Sequence, residues 1–168
     1  IGFGQGFQPV CGFNYGAKKY SRVREAFWFC VKVSTVFLLF VAILGYLFSG
    51  HLIGIFRDDP KVIQIGTTAL RFQCATLILN GWVIMNNMMT QTMGKTLYAT
   101  LLASARQGLF FIPALLVLPR VVGLLGIQMA QATADVCSMI LSLVIYRLVM
   151  NDLEKEEAQN AKLVGKMP

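Results

Sequence analysis

Two ionisable side chains interrupt long apolar stretches of this sequence. Arg106 lies in the stretch 97–118, and Asp135 lies in the stretch 124–149. Away from water the charged form of a carboxyl group is disfavoured, so Asp135 must be paired, hydrated or protonated, and a protonated carboxyl could exchange its proton. Three interpretations are open: an ion pair between Arg106 and Asp135, a role in binding an ion or a substrate, and a water-filled pocket without a function.

Polar side chains recur at helical spacing around these two residues. At about 100° per residue, one side of a helix over 68–93 carries a stripe of amides and a hydroxyl. The members of this stripe are Gln73, Thr76, Asn80, Asn87 and Gln91. A second stripe surrounds Asp135 and consists of Gln128, Gln131, Ser138 and Ser142. Lipid does not favour such stripes, so the amides either line a polar cavity or hydrogen-bond to neighbouring helices.

The opening segment, 1–17, contains five glycines and one proline. Pro9 removes a backbone donor and frees a carbonyl group, which a membrane helix tolerates where polar groups or a cavity satisfy it. Glycines spaced four residues apart let helices approach closely in lipid. We assign helix bending and packing to Gly6, Pro9, Gly12 and Gly16. The segment is either a kinked packing helix or a helix that lines a cavity and moves.

Six polar residues are our candidates for lining a substrate or ion pathway. They are Gln8, Asn80, Asn87, Gln91, Gln131 and Asp135. The chain has one histidine, His51, which we interpret as a surface residue, and its four cysteines lie far apart among apolar neighbours. We therefore predict no metal site, no disulfide framework, no hydrolytic triad and no cofactor.

Membrane-spanning helices are the elements that must position these side chains. Of the 168 residues, 56% are hydrophobic and 14% are charged, whereas a soluble domain carries about 25% charge. The net charge of +7 does not indicate a nucleic-acid partner, because the basic residues cluster between apolar stretches, where they orient a membrane protein. A span needs about 20 mostly apolar residues. We predict an all-α, polytopic transmembrane helical bundle with about five spans, the first of them incomplete.

The predicted boundaries follow the charges and the helix breakers. They give a partial glycine-rich transmembrane helix at 1–17 and four transmembrane helices at 28–49, 68–93, 97–118 and 124–149. The connections are a cytoplasmic basic loop at 18–27, an outer loop and helix start at 50–67, a cytoplasmic turn at 94–96 and an outer turn at 119–123. A solvated, frayed helical tail at 150–168 lies on the cytoplasmic side. Asp59 and Pro60 suit the start of a helix. Ten of the fifteen Lys and Arg residues lie on the side of the first loop and the tail, which marks that side as cytoplasmic.

An ordered series of motifs carries a resemblance to a known family. Gln5-Gly6-Phe7-Gln8-Pro9 is followed by Gly12-Phe13-Asn14-Tyr15-Gly16-Ala17 and a basic loop. This run resembles the QGxQPxxGxNxGA-like run on the second helix of the C-terminal bundle in the multidrug and toxic-compound extrusion family. The likeness continues through 91–95, 106–108, Pro113, Pro119, Gly123, Gly126 and 131–135. It covers nearly the whole chain up to Tyr146.

The resemblance implies a transporter of two pseudo-symmetric bundles of about six helices each. It also implies export of organic cations from a bacterial plasma membrane, in exchange for protons or sodium ions, by alternating access. The first bundle and the start of the second would be missing here. The expected partners are therefore membrane lipid, small organic cations and the N-terminal bundle of the same polypeptide, without which the fragment is expected to be inactive.

Two rival functions make different demands on the sequence. A flippase for lipid-linked oligosaccharides or polysaccharides would need several basic residues in the cleft to bind a pyrophosphate, and Arg106 is the one candidate. A non-transporting integral membrane subunit should lack polar stripes. An intramembrane enzyme should show a catalytic pair, and Arg106 with Asp135 is too little for one, so we do not expect an enzyme.

Overall fold

The computed structural model describes residues 2–56 and 59–164, and every element within these ranges is helical. The elements in chain order are α1 (Gly2–Gly16), α2 (Tyr20–Leu47), α3 (Ser49–Phe56), α4 (Pro60–Thr92), α5 (Thr96–Ser104), a π-helical turn (Ala105–Leu109), α6 (Phe111–Val122) and α7 (Leu124–Val164). The predicted all-α class is confirmed.

Four helical rods within the described ranges are long and apolar enough to cross a membrane. They are Tyr20–Leu47, Pro60–Thr92, Thr96–Val122 and Leu124–Asn160, and the third joins α5, the π-helical turn and α6. The opening helix α1 has 15 residues, fewer than the roughly 20 that a span requires. The polytopic helical bundle is therefore confirmed, with four full spans and a shorter first helix.

One helix begins earlier than the charge pattern indicated: α2 starts at Tyr20, inside the predicted loop 18–27. α4 starts at Pro60, where Asp59 and Pro60 predicted the start of a helix. A helix satisfies its own backbone hydrogen bonds in either medium, and long basic side chains extend to water, so charge density alone does not end a helix. At α4 the Asp59 carboxylate accepts a hydrogen bond from the backbone N–H of Lys61 at 2.9 Å, and Pro60 occupies the first turn.

The last helix continues beyond residue 150 to Val164, where we predicted a solvated, frayed helical tail; the helix is present but packs against the bundle. Residues 151–164 are called the α7 extension below; the prediction for 165–168 lies outside the described residues. Leu153 in the extension is fully buried. Polar contacts also attach the extension to the α1–α2 connection and to the α4–α5 turn: Tyr15 to Glu156, Lys18 to Asn160, Arg24 to Glu157 and Lys95 to Asp152. The tail prediction missed this docking because composition alone does not reveal a tertiary partner.

α4 lies at the centre of the bundle and contacts α1, α2, α3, α5 and α7. An aromatic cluster marks the crossing of α2, α4 and α7. Tyr146 stacks on Phe27 with ring centroids 5.1 Å apart, and Trp82 meets Tyr146 at 5.0 Å and Trp28 at 5.4 Å. The opposite face of α2 exposes large apolar side chains such as Phe40, as expected of a surface in contact with lipid.

The turn between α6 and α7 requires glycine at two positions. Gly123 has a φ of 66°, in the left-handed region that side chains disfavour. A Cβ on Gly126 would lie 2.3 Å from the carbonyl carbon of Leu118, so the start of α7 packs directly on the backbone of α6. This tight reversal sets the position of α7 against the preceding span.

Candidate functional site

Asp135 is a carboxylate on α7 that is almost completely buried, with 1% exposure. Its oxygens accept hydrogen bonds from five side chains. Oδ1 accepts from Arg106 Nε at 2.9 Å and from Gln131 Nε2 at 3.3 Å. Oδ2 accepts from Gln73 Nε2 at 3.1 Å, Thr76 Oγ1 at 3.2 Å and Asn80 Nδ2 at 3.5 Å. These six residues are called the Asp135 shell below.

Three members of the Asp135 shell come from one face of α4. Gln73, Thr76 and Asn80 are three and four residues apart, so they project toward α7 on successive turns. Apolar residues surround this patch, and a polar group so placed is stable in lipid when it is hydrogen-bonded. The first half of the α4 stripe therefore binds the buried carboxylate.

A π-helical turn places Arg106 opposite Asp135. Ala105–Leu109 interrupts the third span with a wider turn, in which the backbone N–H of Phe110 donates to the carbonyl of Ala105 at 2.9 Å. Pro113 follows four residues after Leu109 and has no N–H to offer the Leu109 carbonyl in an ordinary α-helix. Isolated π-helical turns inside α-helices occur frequently at functional sites.

The charges of the Asp135 shell are balanced and unequally exposed. The Arg106 side chain is 32% exposed and the Asp135 side chain is 0% exposed. Five donors stabilise the ionised carboxylate, and the guanidinium neutralises it. The buried carboxylate is therefore held by one opposite charge and four neutral donors, and removing any of them leaves it less well satisfied.

The second half of the α4 stripe contacts α1 instead. Gln8 Nε2 donates to Gln91 Oε1 at 3.4 Å and to Met88 Sδ at 3.1 Å, and Gln91 Nε2 donates to Asn87 Oδ1 at 2.9 Å. The six predicted pathway residues thus form two groups. Asn80, Gln131 and Asp135 belong to the Asp135 shell, whereas Gln8, Asn87 and Gln91 form a more exposed amide chain between α1 and α4.

Two of the predicted packing glycines of α1 have no close neighbour. A Cβ on Gly12 would lie 3.1 Å from Thr92, but a Cβ on Gly6 or Gly16 meets no atom within 4 Å. A Cβ on Gly4, which we did not single out, would lie 3.3 Å from Met88 Cγ. Pro9 lies inside α1, which stays helical on both sides of it. α1 therefore approaches α4 closely at Gly4 and Gly12, which are eight residues apart.

Asn86 is a buried polar residue that neither predicted stripe includes. Its Nδ2 donates to both the hydroxyl and the carbonyl oxygen of Ser142, at 2.8 Å each. The seven-residue step from Asn80 selected Asn87, although Asn86 points into the core and Asn87 faces a cavity. Asn86 and Asn87 lie about 100° apart on the helix, so a stripe through one of them leaves out the other.

The described residues contain no group of three His, Cys, Asp or Glu side chains that could hold a metal ion. The buried polar contacts are instead made by amides, hydroxyls and one ion pair. A multi-pass helical membrane protein with one buried, multiply bonded carboxylate is the class that the fold and the site define.

Comparison with known proteins identifies the family. The MatE family model matches residues 1–117 of the 168, and the chain belongs to that family. It is 29% identical over 150 residues to the multidrug export protein MepA of Staphylococcus haemolyticus, covering 88% of this chain and 32% of that protein. It is 30% identical over 151 residues to MepA of Staphylococcus saprophyticus, covering 88% and 33%. The chain thus spans about one third of the length of these relatives.

Solved structures agree on the fold. An inward-facing multidrug resistance MATE family transporter superimposes with a TM-score of 0.84 at 19% identity, covering 92% of this chain and 36% of that one. The Vibrio cholerae MATE transporter VcmN in a bent form gives a TM-score of 0.79 at 19% identity, covering 87% and 33%. The resemblance inferred from the motifs is confirmed, and membership of a transporter family agrees with the expectation that the chain is not an enzyme.

Proposed function

We propose that this chain forms most of the C-terminal bundle of a secondary active multidrug efflux transporter. The longer polypeptide would export organic cations across a bacterial plasma membrane by alternating access, in exchange for protons or sodium ions. Family membership and the multidrug export proteins among the relatives support the proposal. On this proposal the chain is inactive without the first bundle, and the excess of basic residues puts its C-terminus in the cytoplasm.

The burial of Asp135 among five donors carries the proposal. These donors come from α4, the π-helical turn and α7, so the charge of one carboxylate is linked to the packing of three elements. Breaking a buried ion pair costs about 3–5 kcal/mol. A cost of this size is enough to shift the balance between two bundle conformations that differ by a few kcal/mol.

Of the two coupling ions, the proton fits the Asp135 shell better. Arg106 already occupies the position of a counter-cation beside Oδ1. The remaining partners turn N–H or O–H groups toward the carboxylate, whereas a sodium ion would need oxygen atoms there. A proton requires the displacement of one donor, and sodium would require the rotation of several amides.

The substitution Asp135→Asn in the complete polypeptide that carries this chain tests the proposal. We expect it to abolish export of a fluorescent organic cation driven by a pH gradient in membrane vesicles, because asparagine cannot exchange a proton. Asp152→Asn is the matched control, since it removes a carboxylate from the same helix outside the Asp135 shell. The control should retain export within about twofold, because the Asp152 side chain is 43% exposed and its pair with Lys95 lies outside the Asp135 shell. Normal export by Asp135→Asn at normal expression would remove Asp135 from the mechanism.

The flippase alternative receives less support from the site. The cavity beside Arg106 has no second basic residue among its described lining residues. A pyrophosphate carries more charge than one guanidinium can match. This charge balance favours a multidrug substrate over a lipid-linked sugar.

A further inference from the structure

We infer that water and protons reach Asp135 through the cavity between α4, α5 and the π-helical turn, and that Arg106 separates this water from the carboxylate. The inference rests on the proposed function and adds the route of ion access to it. It also assigns Arg106 a positioning role between water and the acid.

Arg106 is the member of the Asp135 shell that lines this cavity. The cavity has a volume of about 170 Å³, and its polar lining residues are Asn87, Arg106 and Gln107. Asp135 is absent from the lining, and its side chain is fully buried. The nearest water would therefore contact the guanidinium and not the carboxylate.

The size and polarity of the cavity suit water. A volume of about 170 Å³ is well above what a single water molecule needs, and each water needs polar partners. The two amides and the guanidinium offer these partners, while Val83, Ile84, Leu102 and Ala103 form the apolar wall. The exposed edge of the guanidinium disfavours any cation in the cavity while Arg106 is bonded to Asp135, so a proton reaches the carboxylate only when Arg106 turns aside.

The proton step balances with the groups present. The hydrogen bond from Arg106 Nε to Oδ1 breaks first, the guanidinium turns toward the cavity water, and one water molecule takes its place beside Oδ1. A hydronium ion then transfers its proton to Oδ1 through that water, so one O–H bond forms on the carboxyl group, one O–H bond of the hydronium ion breaks, and a neutral water molecule is left behind. Within the described residues, Arg106 is the one charged side chain bonded to Asp135; α4 and α7 contribute Gln73, Thr76, Asn80 and Gln131.

Cysteine accessibility tests whether the cavity contains water, and it does not depend on transport. In the complete polypeptide, with its native cysteines replaced by serine or alanine, Ala103→Cys and Gln107→Cys are treated with a water-soluble methanethiosulfonate. Leu109→Cys is the matched control, because Leu109 is exposed in the same π-helical turn but does not line the cavity. We expect both cavity variants to react about tenfold faster than the control, because the thiolate forms in water. Equal rates in all three variants would overturn the inference.

Filling the cavity tests its role in proton access. Ala103→Phe places a ring in the cavity, and Ser104→Phe places the same ring on the neighbouring residue, outside the cavity lining. We expect Ala103→Phe to slow pH-driven export several-fold while equilibrium substrate binding is unchanged, and Ser104→Phe to resemble the wild type. Wild-type rates in Ala103→Phe would refute the route. If the wild type itself exports nothing, the proposed function fails, and the labelling rates still decide whether the cavity is wet.

Discussion

Arg106 and Asp135 bind each other across two neighbouring spans, although 29 residues separate them in the chain. Both lie deep within apolar stretches, so the cost of burying either charge alone favours their pairing. Three further donors approach from α4. At the scale of residues, the site is one buried carboxylate whose hydrogen-bond donors come from α4, the π-helical turn and α7.

A double-mutant cycle tests how strongly the pair is coupled. Arg106→Gln leaves the carboxylate buried without a cation, and we expect it to lower the free energy of unfolding by about 3–5 kcal/mol. The double variant Arg106→Gln with Asp135→Asn replaces both charges with neutral groups of similar size and should recover most of that loss. Thermal unfolding of the purified protein measures each variant. Equal losses in the single and double variants would show that the charges do not interact.

Residue type and helical period predicted part of this site from the sequence. An ion pair between Arg106 and Asp135 was one of the three interpretations, and the α4 stripe contained Gln73, Thr76 and Asn80 of the Asp135 shell. The same period could not tell that Gln91 contacts Gln8 of α1, because a stripe gives the face of a helix and not its neighbour. Asn86 was missed because the seven-residue step from Asn80 selected the adjacent Asn87.

At the scale of elements, the junctions decide where the side chains point. The π-helical turn shifts Arg106 relative to a regular α-helix, and the α6–α7 reversal brings α7 directly against the preceding span. Neither feature follows from hydrophobic periodicity. Arg106-Gln107-Gly108 was noted as part of a motif, but its local geometry depends on the hydrogen bonds available in the folded chain.

Gly126→Ala tests the contact between α6 and α7. The added Cβ would lie 2.3 Å from the Leu118 carbonyl carbon, and we expect a loss of about 1–3 kcal/mol in unfolding free energy, as for overpacked cores. Gly108→Ala is the control, because its Cβ would meet no atom within 4 Å. A melting temperature of Gly126→Ala equal to that of the control would contradict the close packing.

At the scale of the whole molecule, the α7 extension holds one end of the bundle together. It contacts the α1–α2 connection and the α4–α5 turn, and it buries Leu153 among the core residues. The acidic, polar composition of this segment favoured a frayed tail. Its single deeply buried leucine was too weak a signal for a docked helix.

Leu153→Ala tests the docking of the α7 extension. Removing this buried side chain should cost about 2–5 kcal/mol and expose the extension to amide hydrogen exchange and to protease. Leu148→Ala is the matched control on the same helix, because Leu148 is 44% exposed. Unchanged protection of the extension in Leu153→Ala would show that the polar contacts suffice to hold it.

The aromatic cluster gives the bundle an intrinsic fluorescence probe. The chain has two tryptophans. Trp28 and Trp82 lie side by side where α2 crosses α4. Tyr146 of α7 contacts both indole rings and stacks on Phe27. The fluorescence of both indoles therefore comes from the same part of the structure, where the two rings lie 5.4 Å apart. The ultraviolet emission of this segment reports on how three helices meet, without any attached dye.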